Sequence, residues 1–347
     1  MEYKIRKDLS MKNIIPEKLK IGDEIRVIAP SRSMNLLSED TIELATKRLK
    51  KLGFKVTFGK NVNNVFDEDY YCASIEDRVE DLHDAFKDKN VKAILTVIGG
   101  FNVNQILDYI DYELIKKNPK IICGYSDITA LLNAIYTKTG LVTYYGPHYS
   151  SFGMKEGFEY TLDYFKKIFM DINPIQIEDS DCWSDDAWYI NQDNRLFIKN
   201  SGRIIINKGI TEGKIIAGNL CTLNLLQGTQ YMPNLDNVIL FLEDDDLVGK
   251  EFIREFDRNL QSLLHSLKDK RIKGLIIGRS QIKSNMNVEK WKILINTKEK
   301  LKDIPVIINM DFGHTTPIFT IPIGGQAKIN NDKVIISDIN VTLTTNK

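Results

Sequence analysis

The stretch VKAILTVIGG, Val91 to Gly100, is almost wholly apolar and ends in paired glycines, and IICGYSDITALLNAIYTKTG, Ile121 to Gly140, runs a second apolar segment straight into a helical one. Strands without polar alternation are buried on both faces, the pattern of a parallel sheet clothed by helices. Working outward, EIRVIAPSRS from Glu24 reads as another such strand ending in a Pro/Ser turn. DTIELATKRLKKLG then sets Ile42, Ala45, Leu49 and Leu52 on one helical stripe before Gly53. FKVTFG from Phe54 follows as a strand, and IEDRVEDLHDAF aligns Ile75, Val79, Leu82 and Phe86 on a further helix. The alternation predicts an α/β fold whose N-terminal domain is a parallel sheet with flanking helices.

From about Tyr149 to Asn200 this rhythm breaks in a segment rich in Asp, Trp and Tyr, SDCWSDDAWYINQDNR, too long for a passive loop and read as a connection or lid. A second set of strands and helices follows: GKIIAGNLCTLNLLQGT, NVILFLEDDD, a helix carrying Phe252, Phe256, Leu260, Leu263 and Leu267, GLIIGRSQ, IPVIINMDFGH and a terminal hairpin-like FTIPIGGQAKINNDKVIISD. The chain has 347 residues, and at about 100–200 residues per domain that length suits two domains. We expect an N-terminal extension over 1–19, a first domain over 20–170, a connecting segment over 171–204 and a smaller C-terminal α/β domain over 205–347. Met11 is an alternative start to Met1.

Composition narrows the function. The 47 Lys and Arg balance 47 Asp and Glu, whereas a grip on a nucleic-acid backbone needs a basic excess. No apolar run approaches the ~18–20 residues that cross a bilayer, and the charged amino terminus lacks the apolar core of a signal peptide. A cytoplasmic protein with no nucleic-acid or membrane partner is the expectation. Cys72, Cys123, Cys182 and Cys221 have neither CxxC spacing nor a Cys/His cluster, which argues against structural zinc and disulfides.

No GxGxxG follows a strand and no P-loop motif occurs. The sharper feature is Gly124-Tyr125-Ser126-Asp127, which puts a serine on a strand-turn-helix corner with the helix N-terminus supplying backbone donors. The bland alternative is a helix N-cap at Ser126 or Asp127. Among the four histidines, His83 and His265 sit at the margins of amphipathic helices, His148 in YYGPHYS could line the same cleft, and His314 stands in a Gly/Thr/Pro turn after an apolar strand. His314 is the best candidate base. Glu243 ends the run Val238 to Leu242 and could orient it, while Asp244 to Asp246 continue into loop. Two other readings stay open: a two-domain ligand-binding protein, and a metal-dependent phosphatase using Asp244 to Asp246 with Asp311.

The ordered series VKAILTVIGGFNVNQIL, CGYSDITALL, GKIIAGNLCTLNLLQGT, LFLEDDD and FGHTTP, with GDEIRVIAPSRS before it and PIGGQAKI after it, resembles the LD-carboxypeptidase family of serine peptidases from about Lys20 to Ile339. The resemblance implies a Ser-His-Glu triad of Ser126, His314 and Glu243, an oxyanion hole from backbone N–H groups near Gly100 and Asp127, and no metal or organic cofactor. It also implies a parallel-sheet N-terminal domain, a smaller C-terminal domain, a site between them and a homodimer. Ile98 to Asn102 departs from the Arg-Gly-Gly-Tyr-Gly of the murein-peptide branch. Together with the Trp-containing segment, it looks more like the microcin C self-immunity branch, whose members hydrolyse the amide joining an aspartyl residue to a nucleotide. Trp183 or Trp188 could then stack on adenine, and Asn219 in AGNLCTL could touch substrate. The alternative substrate is a cytoplasmic muropeptide that releases D-Ala.

Overall fold

In the computed structural model, residues 13–172 and 174–338 are described. The Met1 and Met11 start sites, and residues 1–12 of the expected extension, lie outside them. The first sheet is built from five parallel strands, β1 (Glu24–Ile28), β2 (Lys55–Phe58), β3 (Val91–Thr96), β4 (Ile121–Gly124) and β5 (Thr143–Tyr145), in the order β5-β4-β3-β1-β2. Its helices are α1 (Glu39–Lys51), α2 (Ile75–Lys87), α3 (Tyr112–Lys117) and α4 (Ile128–Thr139). The apolar runs that define β3 and β4 are buried along almost their whole length, as two-sided coverage requires. The order reverses beside β1, whose neighbours are β2 and β3, so the loops leaving β1 and β3 flank a crevice of the kind in which open α/β sheets bind ligands.

The second sheet has eight strands around a parallel core of Ile210–Asn219, Val238–Glu243, Gly274–Gly278 and Val306–Met310, with antiparallel strands at both edges. The last two strands, Gln326–Asn330 and Lys333–Ser337, form the expected hairpin. α4 joins the two units. Eight of its first residues, Ile128 to Ile135, are buried, Asn133 Nδ2 donates to the carbonyl of Ala217 at 3.0 Å, and Thr129 Oγ1 accepts the N–H of Asn219 at 2.9 Å.

Sheet membership departs from the expected boundaries at three places. Ile321–Ile323 returns from the second half to pair antiparallel with β5 in the first sheet. Ile175–Gln176 adds to the edge of the second sheet, and the connecting segment forms a ribbon of Cys182–Trp183 with Ile198–Lys199. Residues 13–19 are no free extension either: Ile14 bonds to Gly140 and Val142, and Leu19 to Phe169. Among the described residues no helix is long and apolar enough to cross a membrane.

Candidate active site

Ser126 lies between β4 and α4 at a φ of +60°, in the left-handed region that non-glycine residues rarely adopt. Such a conformation persists only where surrounding contacts impose it. Here the Ser126 N–H donates to Tyr145 Oη at 3.2 Å, and Tyr145 Oη donates in turn to Glu243 Oε1 at 2.5 Å. The loop after β3 closes against the corner, because a Cβ on Gly99 would come within 2.9 Å of Ser126 Cβ. Asp127 occupies the N-cap position of α4 without capping it. Its buried Oδ2 instead accepts from Ser31 Oγ at 2.5 Å and from the N–H groups of Asn102 and Val103 at 3.0 Å, tying the loops after β1 and β3 to the serine corner.

His314 follows the strand Val306–Met310 and faces this corner across the two units. Its Nε2 lies 3.1 Å from Ser126 Oγ and its Nδ1 2.7 Å from Glu243 Oε2. Glu243 is 2% exposed, and both its oxygens are engaged. Burial alone would depress the His314 pKa, but the Glu243 carboxylate, with Asp245 and Asp244 behind it, outweighs that and raises it to about 9. Asp244 rises to about 7, first through burial and then through the charges of Glu243 and Asp245. Neither the Gly100 nor the Asp127 N–H meets an acceptor among the described residues. A cavity of about 260 Å³ opens beside Ser126, bounded by Gly100 and Phe101, by the apolar Leu247, Phe252 and Phe256, and by the carboxylates of Asp244, Asp245 and Glu255.

The other sequence candidates fall elsewhere. His148 is buried behind Tyr125, with ring centroids 4.2 Å apart, and its Nδ1 bonds Thr96 Oγ1 at 2.8 Å. Burial, followed by the nearby His314 and Arg32 charges, holds its pKa well below the ordinary imidazole value. His83 accepts the N–H of Asp111, and His265 bonds Gln261 on an exposed helix face. Asn219 is 1% exposed and caps the helix Leu220–Asn224; its Oδ1 takes the Thr222 N–H and its Nδ2 donates to Asp244. Its amide therefore positions Asp244, and it does not border the cavity. The Trp183 ring lies under the Arg279 guanidinium at 4.9 Å, and Trp188 packs on the core. Neither lines the cavity. Asp311 is paired with Arg279 at 2.7 Å, away from Asp244 to Asp246. The close carboxylate group is instead Asp244 and Asp245 with Cys221, whose thiol is pushed up first by burial and then by those carboxylates. The phosphatase reading needs Asp311 beside Asp244 to Asp246, and the structure does not bring it there: Asp311 is held by Arg279, Ser180 and Asn200.

Residues 25–146 match the LD-carboxypeptidase N-terminal domain and residues 212–329 the LD-carboxypeptidase C-terminal domain. The chain belongs to the LD-carboxypeptidase family. Within that family it is 53% identical to an MccF-like protein from Bacillus anthracis strain Ames, whose crystal structure superposes with a TM-score of 0.92 over 93% of this chain and 99% of that one. It is 30% identical, over 95% of this chain and 96% of the other, to the microcin C7 self-immunity protein MccF of Escherichia coli. A structure of MccF in complex with glutamyl sulfamoyl guanosine matches at 29% identity with a TM-score of 0.82, covering 94% and 99% of the two chains. The murein tetrapeptide carboxypeptidase of Pseudomonas aeruginosa is 26% identical over 74% of this chain and 76% of its own. The chain shares the two-domain α/β organisation of the MccF structures.

Two features of the site carry no local sequence signal. Tyr145 joins the serine corner to Glu243, yet reads in sequence as an ordinary strand aromatic before Gly-Pro. Arg32 donates to the Gly99 carbonyl beside Gly100 and Phe101, which border the cavity, and its place in a turn after a strand is shared by many surface arginines.

Proposed function

We propose that this member of the LD-carboxypeptidase family is a serine amidohydrolase that cleaves the amide between an acyl (aspartyl) group and a nucleotide-like moiety through an acyl-enzyme. The observation that carries the reading is the relay Glu243 to His314 to Ser126, at 2.7 and 3.1 Å, the geometry of an activated nucleophile, its base and the base's orienting group. Neutral His314 takes the Ser126 proton as Oγ bonds to the amide carbon. Glu243 fixes the Nδ1–H tautomer and stabilises the imidazolium. Collapse of the tetrahedral intermediate breaks the C–N bond, and His314 returns the proton to the leaving nitrogen. Water then hydrolyses the ester by the same route. The N–H groups of Gly100 and Asp127 serve as oxyanion donors, each worth roughly 10²–10³-fold in rate. The nucleotide-like substrate is supported by the likeness to MccF structures holding glutamyl sulfamoyl guanosine and aspartyl sulfamoyl adenosine. The muropeptide alternative is supported by the murein tetrapeptide carboxypeptidase relative.

Incubation with aspartyl sulfamoyl adenosine and, separately, with a muropeptide ending in D-Ala, followed by mass spectrometry, tests both. Release of aspartate and the sulfamoyl nucleoside, lost in Ser126→Ala, is the expected result. Cleavage of the muropeptide alone would overturn the nucleotide assignment, and unchanged turnover in Ser126→Ala would overturn the mechanism.

A further inference from the structure

Arg32 leaves the carboxyl end of β1 exactly one loop from the reversal of strand order, facing the loop after β3. Its side chain is held at two points. Nε donates to the Gly99 carbonyl at 3.0 Å, and the stem lies across Gly100 so closely that a Cβ there would come within 2.8 Å of Arg32 Cγ. The guanidinium carbon sits 5.9 Å from the ring centroid of Phe101, an exposed aromatic on the cavity rim.

This guanidinium has no anion of its own. Among the described residues no carboxylate lies within ion-pair distance of Arg32, and neither Nη group makes a hydrogen bond. The nearest negative charge, Asp127, is turned inward onto Ser31, Asn102 and Val103. Neighbouring arginines contrast with it: Arg78 serves the carbonyls of Pro30 and Asn102, and Arg279 is paired with Asp311. Arg32 is half-buried, and burial lowers its pKa despite the neighbouring Asp127 carboxylate. A partly desolvated guanidinium with its fork free is suited to a planar or tetrahedral oxyanion. The cavity beside Ser126 offers no alternative, being lined by Asp244, Asp245 and Glu255 and by no lysine or arginine.

We propose that Arg32 binds the anionic group of the leaving fragment, so that substrates carry an oxyanion on the amine side of the scissile bond. The inference rests on the amidohydrolase reading. Two sources share this chemistry, the terminal carboxylate of an amino acid and the phosphoryl or sulfamoyl oxygens of a nucleotide. Arg32 acts on specificity through binding, while its Nε contact positions the Gly99–Gly100 loop.

The test compares wild type, Arg32→Gln and Arg32→Lys. Calorimetry with AMP against adenosine, and with N-acetyl-D-alanine against its amide, reads the anion site without turnover. Arg32→Gln should weaken binding of whichever anion the wild type takes by roughly 10–100-fold, the size of a charge-assisted hydrogen-bonded contact, and leave the uncharged partner within about threefold; Arg32→Lys should recover part of the loss. On cleaved substrates the loss should fall on KM, and should vanish when the leaving fragment is amidated. Because the Nε contact also holds the Gly99–Gly100 loop, labelling of Ser126 by an uncharged fluorophosphonate measures any loss in Arg32→Gln that is common to all substrates, and the discrimination of charged from uncharged ligands should fall beyond it. If neither anion binds wild type better than its neutral partner, or if the loss is equal on charged and uncharged ligands, the assignment is overturned. Absence of turnover and labelling in wild type, with anion binding intact, would instead overturn the amidohydrolase reading on which it rests.

Discussion

Raising the assay pH from 6 to 10 should carry kcat/KM upward by about tenfold per pH unit until the curve bends near pH 9. A general base works only when deprotonated, so a raised pKa moves the ascending limb to the alkaline side. For His314 burial acts in the opposite sense, but Glu243 at 2.7 Å, with Asp245 and Asp244, outweighs it and lifts the ring from the ordinary 6.5 to about 9. That step corresponds to about 3 kcal/mol in favour of the imidazolium, and leaves about one molecule in a hundred with a neutral base at pH 7. Asp244, itself titrating at about 7, acquires its charge just as the base begins to lose its own. Glu243→Gln removes the largest raising influence. It should return the limb toward the ordinary imidazole range and, by disturbing the tautomer, lower the plateau by roughly 10³–10⁴-fold. Asp244→Asn should shift the limb in the same direction by less. The assay is kcat/KM from pH 5.5 to 10.5 at constant ionic strength, paralleled by the rate of fluorophosphonate labelling, which needs no knowledge of the substrate. A wild-type limb centred at or below the ordinary imidazole value, or one that Glu243→Gln leaves in place, would refute this account.

Stability should move the other way. Because the folded pKa of His314 exceeds its unfolded value, its contribution is complete below about pH 6.5 and lost as the pH rises through about 9; calorimetric Tm should fall across that window, and by less in Glu243→Gln. Tyr145→Phe strips the partner from Glu243 Oε1 and from the Ser126 N–H. It should cost about 1–3 kcal/mol in denaturant unfolding, and unchanged stability would count against the relay. Gly99→Ala puts a Cβ 2.9 Å from Ser126 Cβ and should abolish labelling while circular dichroism stays native; full labelling would show that the loop can yield. If the acyl side chain enters the cavity beside Ser126, the carboxylates of Asp244, Asp245 and Glu255 there should make leucyl or lysyl sulfamoyl adenosine turn over faster than the aspartyl compound, which is still cleaved; a clear aspartyl preference in kcat/KM would place the acyl side chain elsewhere.

That Ser126, Glu243 and His314 come together was legible in sequence for one physical reason. Each follows an apolar run whose burial can be read from its composition, and the carboxyl ends of parallel strands converge on one edge of a sheet. What escaped depends on contacts between distant segments. Ile321–Ile323 is a three-residue strand that crosses to the first sheet, and nothing local distinguishes it from its own hairpin neighbours. The side chain of Asp127 reads as a helix cap but bonds to loops from β1 and β3. Trp183 reads as a free stacking surface, yet its ring lies against Arg279, which is itself fixed by Asp311. In each case the side chain's chemistry was plain, and its partner lay on a segment far along the chain.

The division of the site between two units acquires a mechanical sense from the backbone of Ser126. A non-glycine residue at positive φ carries a cost of about 1–2 kcal/mol, and α4 holds only its carbonyl, which accepts the Thr129 N–H at 2.9 Å. The Ser126 N–H is held by Tyr145 on the first sheet, whose hydroxyl accepts it and donates to Glu243 on the second. Glu243 also fixes His314. Packing of α4 against the strand Ile210–Asn219, through Asn133 and Thr129, keeps the two sheets in register. On the proposed mechanism the second unit does more than bring a base to a finished nucleophile. One buried carboxylate bonds the imidazole through Oε2 and, through Oε1, the tyrosine that takes the Ser126 N–H, so loss of the Glu243 charge should weaken nucleophile and base together.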